Sequence, residues 1–215
     1  MAQQQLNNYA LLGQFLDGCA ALDADVDCLL RDGWNTSSSR QVITLGFCRA
    51  ALEHAVSQRV LIGAGHHGTA LALVRLHFET TVRAAWTLLG ASDDWLAKFV
   101  EPVPDGSFRE PNLGPPIPSM LDAIEVHAPD TALEGRRLHQ TVKVMHSFVH
   151  GGVHLVAHAL RGYPPEKMID VLRNRNLMCL MLCNVVAVAS GKAELSGAVG
   201  RLSRLHANVM PPPTA

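Results

Sequence analysis

Between Thr69 and Leu89 the chain places Leu71, Leu73, Val74, Leu76, Phe78, Val82, Trp86 and Leu88 on several faces of one helix. A helix apolar nearly all round has no side to present to water, so it must run through the middle of a larger assembly. The neighbouring stretches supply that assembly. Residues 5–31 carry apolar positions at helical spacing from Leu6 through Leu12, Phe15, Leu22 and Leu30, with Gly33 as the stop. The run Thr36-Ser37-Ser38-Ser39 caps a helix extending to about Ile62, closed by Gly63 and Gly65. The expected fold class is all-α, a single-domain helical bundle of about six to eight helices spanning residues 1–208.

The rest of the chain punctuates in the same way. Ser92-Asp93-Asp94 caps a short helix through Phe99. Residues 101–118 hold six prolines with Gly106 and Gly114, and read as a structured loop or lid and as the place for a hinge. A short helix is expected from Ser119 to about Val126, then a long one from Asp130 interrupted near Gly151-Gly152. Tyr163-Pro164-Pro165 opens a helix to Ser190, stopped by Gly191, and a last helix runs from about Ala193 to Asn208. Residues 209–215, with Pro211-Pro212-Pro213, are expected to be a flexible tail.

Hydrophobic residues make up 48% and charged residues 17%, a globular composition that argues against disorder. Met1–Tyr9 lacks a basic region followed by an apolar one, so no signal peptide is expected, and Leu177–Ser190 is shorter than the roughly 20 residues of a membrane span. The expectation is a cytoplasmic protein without membrane association. Its five cysteines, Cys19, Cys28, Cys48, Cys179 and Cys183, lie among apolar neighbours without a Cys-x2-Cys pair, and are expected to be reduced, buried thiols.

Charge is divided along the chain. Residues 1–135 carry 8 basic and 16 acidic side chains, a balance of -8, whereas residues 136–215 carry 10 basic and 3 acidic, a balance of +7. Either the two parts pack together and complement one another, or residues 136–215 present Arg136, Arg137, Lys143, Arg173, Arg175, Arg201 and Arg204 to RNA or another acidic partner. The aspartates at 17, 23, 25, 27 and 32 read as one solvated face, since the order of an EF-hand loop is absent.

Two charged pairs interrupt the apolar helices at one-turn spacing: Arg49 with Glu53, and Arg75 with Glu79. An unpaired buried charge costs several kcal/mol, so these groups must pair, and together they could form a polar seam between two core helices. Further on stand His146, His150, His154 and His158 in steps of four, with Gly151-Gly152 inside. Imidazoles at i and i+4 can share one metal ion, but a single straight helix cannot surround it, and the remaining ligands would have to come from Glu53, His54, His77 or Glu79. His-Glu-x2-His and paired Glu-x2-His motifs are absent. No metal and no cofactor is therefore expected. His150 is singled out because two helical glycines beside it cost about 1 kcal/mol each, which points to close approach of a helix or ligand.

Arg75-x3-Glu79 with Trp86 downstream, followed by Ser147-x2-His150-Gly151-Gly152, resembles helical bacterial proteins catalogued as domains of unknown function, distantly similar to abortive-infection proteins of the HEPN type. The resemblance spans about residues 65–190 and implies an all-helical bundle and a dimer. HEPN ribonucleases use an Arg-x4–6-His motif assembled across a dimer. Arg49 with His54, Arg59 with His66, and Arg201 with His206 satisfy that spacing, although Ala50, Val60 and Leu202 stand where a polar residue often follows the arginine.

Walker, Gly-x-Gly-x2-Gly and Gly-x-Ser-x-Gly motifs are missing. The leading expectation is a protein that acts by association, as a homodimer, in a stress or phage-defence setting, with Arg49, Glu53, Arg75, Glu79, His146 and His150 as ligand or seam residues. The alternatives are a HEPN-like ribonuclease using Arg49, His54, Arg201 and His206, and a metal-assisted hydrolase using the His146/His150 region.

Overall fold

The structure, a computed structural model, describes residues 2–31, 36–101 and 114–212. Among these residues every regular element is helical: α1 (Ala2–Leu30), α2 (Ser39–Gly63), α3 (His67–Leu89), α4 (Asp93–Phe99), α5 (Ile117–Glu125), α6 (Pro129–Val142), α7 (His146–Val149), α8 (Val153–Arg161), α9 (Pro165–Ser190) and α10 (Ala193–Leu205), with 3-10 turns at Lys143–Met145 and Ala207–Val209. The all-α bundle is as expected. Most of the expected lid, residues 102–113, lies outside the described residues, as do Asp32, Gly33 and residues 213–215.

The helix boundaries follow from local chemistry. Ser38 caps α2, accepting the Gln41 backbone N–H while the Gln41 side chain returns to the Ser38 backbone, a complete capping box. Gly65, at φ +81°, turns the chain into α3, and Gly191, at φ +67°, ends α9 in the left-handed conformation glycine favours. α5 begins at Ile117 rather than Ser119, because Pro118 suits the first turn of a helix, where its missing N–H is no loss.

α2 and α3 form an antiparallel hairpin, and α9 lies against α1, α2, α3 and α10. One continuous core runs from Leu12 in α1 to Val209 beyond α10 and includes Phe78, Trp86, Leu172 and Leu182. Val209 therefore does not belong to a free tail. It is 1% exposed, packs closely on Gly18 and accepts a hydrogen bond at its carbonyl from Asn176 Nδ2 (2.8 Å).

α9 is by length and composition apolar enough to cross a bilayer, yet here it is mostly buried in protein. Its Arg175 and Asn176 bond to α1, α2 and the Val209 carbonyl. Those polar groups, placed mid-helix, find protein partners only because the surrounding helices supply them.

Arg175 is 0% exposed. Its Nη2 donates to Asp23 Oδ1, its Nε to the Ala55 carbonyl (3.0 Å) and its Nη1 to Asn176 Oδ1 (2.7 Å), while Asp23 Oδ2 accepts from Arg59 Nε (2.7 Å). His206 Nε2 meets Asp25 Oδ2 at 2.8 Å. Asp23 and Asp25 are thus ties between the acidic N-terminal part and the basic C-terminal part; Asp23 is largely buried and no member of a solvated face, whereas Asp25 keeps a side chain 47% exposed and Asp17 and Asp27 are exposed. Arg136 likewise binds Asp122 and Glu125. The two parts complement one another through these pairs, and Arg175 faces inwards, away from any anionic partner.

His77 is fully buried beside this cluster, with Nδ1 3.1 Å from Gln58 Nε2. Burial, aided by the positive charges of Arg175 and His54, holds its pKa well below the ordinary value. Above about pH 6.5 neither state binds the proton, but below it the unfolded chain does and the folded chain does not. Stability is therefore expected to fall with pH from about 6.5 downwards, by up to about 1.4 kcal/mol per pH unit for this group. Denaturant midpoints across that range should show the slope, and His77→Gln should flatten it.

Candidate functional site

Arg75, Phe78 and Glu79 share one face of α3 at i, i+3, i+4 spacing, and His139, Val142, Lys143 and His146 share the facing side of the segment from α6 to α7 at i, i+3, i+4, i+7. With Ile117 of α5 they line a cleft of about 360 Å³. Phe78 forms its floor: the ring is 1% exposed and stacks on His139 with 5.8 Å between centroids and 8° between planes. The 3-10 turn Lys143–Met145 joins α6 to α7 and packs, like α7, against α3.

The polar line through the cleft starts at Glu79, whose Oε1 accepts from Arg75 Nε at 2.7 Å. Arg75 Nη1 in turn hydrogen-bonds His146 Nδ1. Because a guanidinium only donates, this ring nitrogen is the acceptor, and the ring's proton resides on Nε2. The His150 ring follows at 4.2 Å between centroids. Burial, with the nearby Lys143 charge, holds the His139 pKa below the ordinary value, so this imidazole stays neutral to lower pH than a solvated one.

The histidine row divides at Gly151-Gly152. Gly151 has φ +67°, which ends α7. Gly152 lies against Ser147: a Cβ there would stand 2.5 Å from Ser147 Oγ and 3.2 Å from Ser147 Cα. Ser147 Oγ accepts the backbone N–H of His154 (3.0 Å), so it caps α8 from the preceding helix. The close approach is thus at Gly152 alone, between α7 and the start of α8, while Gly151 has open space around it. His158 sits apart from the cleft, stacked on Tyr163 and near the Gly162 carbonyl.

Of the residues singled out by sequence, Arg75, Glu79, His146 and His150 come together. Arg49 and Glu53 do not join them: both are exposed on α2, and Glu53 lines a different cleft, between α1 and α2, with Asp23 and Arg175. The Arg-x4–6-His pairs do not converge on one site. His54 lies partly buried on α2, His66 is exposed, and His206 is taken up by Asp25 while Arg201 is exposed on α10.

Among the described residues no three His, Cys, Asp or Glu side chains are grouped to hold a metal ion. The Arg75 cation beside His146 also opposes one there. Four of the cysteines are buried free thiols, and burial pushes Cys48 up to about 12 and Cys179 up to about 11, which removes them as nucleophiles; Cys28 is exposed. Sequence reasoning missed Phe78, His139 and Lys143 as cleft residues; the signal for Phe78 was its i+3 place between Arg75 and Glu79 on α3, and for His139 and Lys143 their one-turn spacing on a second helical segment.

These elements define a helical bundle with a polar seam, open to solvent, where α3 meets the α6–α7 junction. A family model described as a family of unknown function, DUF6988, matches residues 48–212, and the chain belongs to that family. The matched span contains the whole seam and α9 but not α1. No curated protein and no solved structure matches the chain.

Proposed function

We propose that this protein acts by association, as a cytoplasmic homodimer whose Arg75–Glu79–His146–His150 seam is a ligand or partner site. The observation that carries the reading is α8. None of its residues is buried, yet Val153, Val156 and Leu160 share one face, with Val153 74% and Leu160 82% exposed, and Val149 is exposed just before it. A contiguous apolar stripe of this kind is characteristic of a surface that another molecule covers. A second copy of the chain meeting it about a two-fold axis would cover both stripes at once. The stripe starts beside His150, so interface and seam adjoin.

The resemblance to abortive-infection proteins of the HEPN type supports a stress or phage-defence setting; of the residues that carry it, Arg75, Glu79, Ser147, His150, Gly151 and Gly152 fall at the seam or at the α7–α8 junction, while Trp86 is buried in the core against Trp95. The test is sedimentation velocity at micromolar concentration, where a dimer is expected and a monomer alone would contradict the reading. Leu160→Glu should shift the protein towards monomer by about tenfold or more in dissociation constant, because a buried leucine contributes about 1.5–3 kcal/mol. Its folding should be little changed, since the side chain is already in solvent.

A further inference from the structure

We propose that the cleft between α3 and the α6–α7 junction binds an oxyanion, a carboxylate or phosphate, carried on a small apolar body, with Arg75 as the anchoring donor. The inference rests on the seam being a binding site and specifies what it takes.

Among the described residues the charge around the cleft is unbalanced. Glu79 is its carboxylate, and it engages Arg75 through Nε. His146 takes Nη1. Among the described residues the two N–H bonds of Nη2 meet no protein acceptor, on a guanidinium held at two of its corners and so already oriented. Lys143 adds a second cation, whose Nζ bonds the neutral amide oxygen of Gln140 (3.0 Å) and, among the described residues, no carboxylate. A preoriented arginine with an unused donor edge is the protein group best matched to the planar or tetrahedral oxygens of an anion, and a nearby lysine adds charge without demanding geometry. A cationic ligand would meet Arg75 and Lys143 with like charge, and a neutral one would leave the excess positive charge, beyond what Glu79 offsets, unanswered.

The rest of the wall is apolar: Phe78, Ile117 and Val142. At about 360 Å³ the cleft is at the small end of ligand sites, so the body attached to the anion is about the size of one ring. Phe78 and His139, stacked together, offer it a flat surface.

The test is a titration of the full-length protein with benzoate, phenyl phosphate, benzyl alcohol and benzylamine, followed by the side-chain NMR signals of His139 and His146. Saturable shifts of both histidines with benzoate or phenyl phosphate, at lower concentration than with the alcohol or the amine, are expected. Whichever anion saturates first identifies carboxylate or phosphate as the preferred chemistry. Arg75→Gln should weaken that binding by about tenfold or more, the scale of a charge-assisted hydrogen bond. Should Arg75→Gln fail to fold, Lys143→Gln, altered only at an exposed side chain, is expected to weaken the anion and leave the alcohol unchanged. Equal binding of the alcohol or the amine overturns the oxyanion assignment but leaves a ligand site in place. No shift with any probe overturns the assignment, while the homodimer is still decided separately by sedimentation.

Discussion

Asp23→Ala is expected to lower the unfolding free energy by about 3–5 kcal/mol, as removal of one partner from a buried ion pair does. The carboxylate holds Arg175, whose side chain has no exposure, and also Arg59. Without it the Arg175 guanidinium keeps the Ala55 carbonyl and Asn176, both neutral, and its buried charge loses its carboxylate. Arg175→Met should cost less, because the remaining Asp23 still pairs with Arg59 and is itself partly exposed. The double variant should be more stable than the sum of the two losses predicts, since the uncompensated cation is gone. Urea midpoints of the four proteins measure this directly, and an Asp23→Ala loss below about 1 kcal/mol, the scale of a surface pair, would show that the pair is not buried in solution.

Phe78→Ala should lose about 3–5 kcal/mol, the usual range for emptying a buried aromatic site. Phe78 belongs both to the core and to the seam. One side of its ring is enclosed by the bundle, and another forms the floor of the cleft against His139. The variant is therefore expected to lose stability and, where it still folds, to lose the side-chain order of His139, visible as narrowed or averaged NMR signals for that imidazole. Phe78→Leu should lose less in stability and still lose the stacked geometry, separating the two roles.

Much of the fold is legible in the residues because helix signals are local. The Ser38–Gln41 cap, the glycine stops at Gly65 and Gly191 and the all-round apolar pattern of α3 are each written within a few positions. Arg75 and Glu79 were legible for a related reason: two charges one turn apart in an apolar helix have few ways to be satisfied. The same argument applied to Arg175 would have found a buried pair, but not that its partner is Asp23, 152 residues away. That pairing depends on how α1 crosses α9, which no local spacing encodes. His139 and Lys143 escaped notice because their part in the cleft depends on the register of α6 against α3. The glycines at 151 and 152 are not helical as their reading assumed: Gly151 has open space around it and serves the turn at φ +67°, and only Gly152 is closely approached, by Ser147 of the adjoining helix. Val209 looked like tail because three prolines follow it, although one valine is enough to fill the space beside Gly18.

That Arg75 and Glu79 hold His146 in one built site is tested most directly by long-range proton–nitrogen NMR of the His146 ring. The structure predicts a ring with an unprotonated, accepting Nδ1 and its proton on Nε2, a pattern lost in Arg75→Gln and weakened in Glu79→Gln, which frees the guanidinium. A ring protonated at Nδ1, or one whose nitrogen signals are the same with and without Arg75, would contradict it.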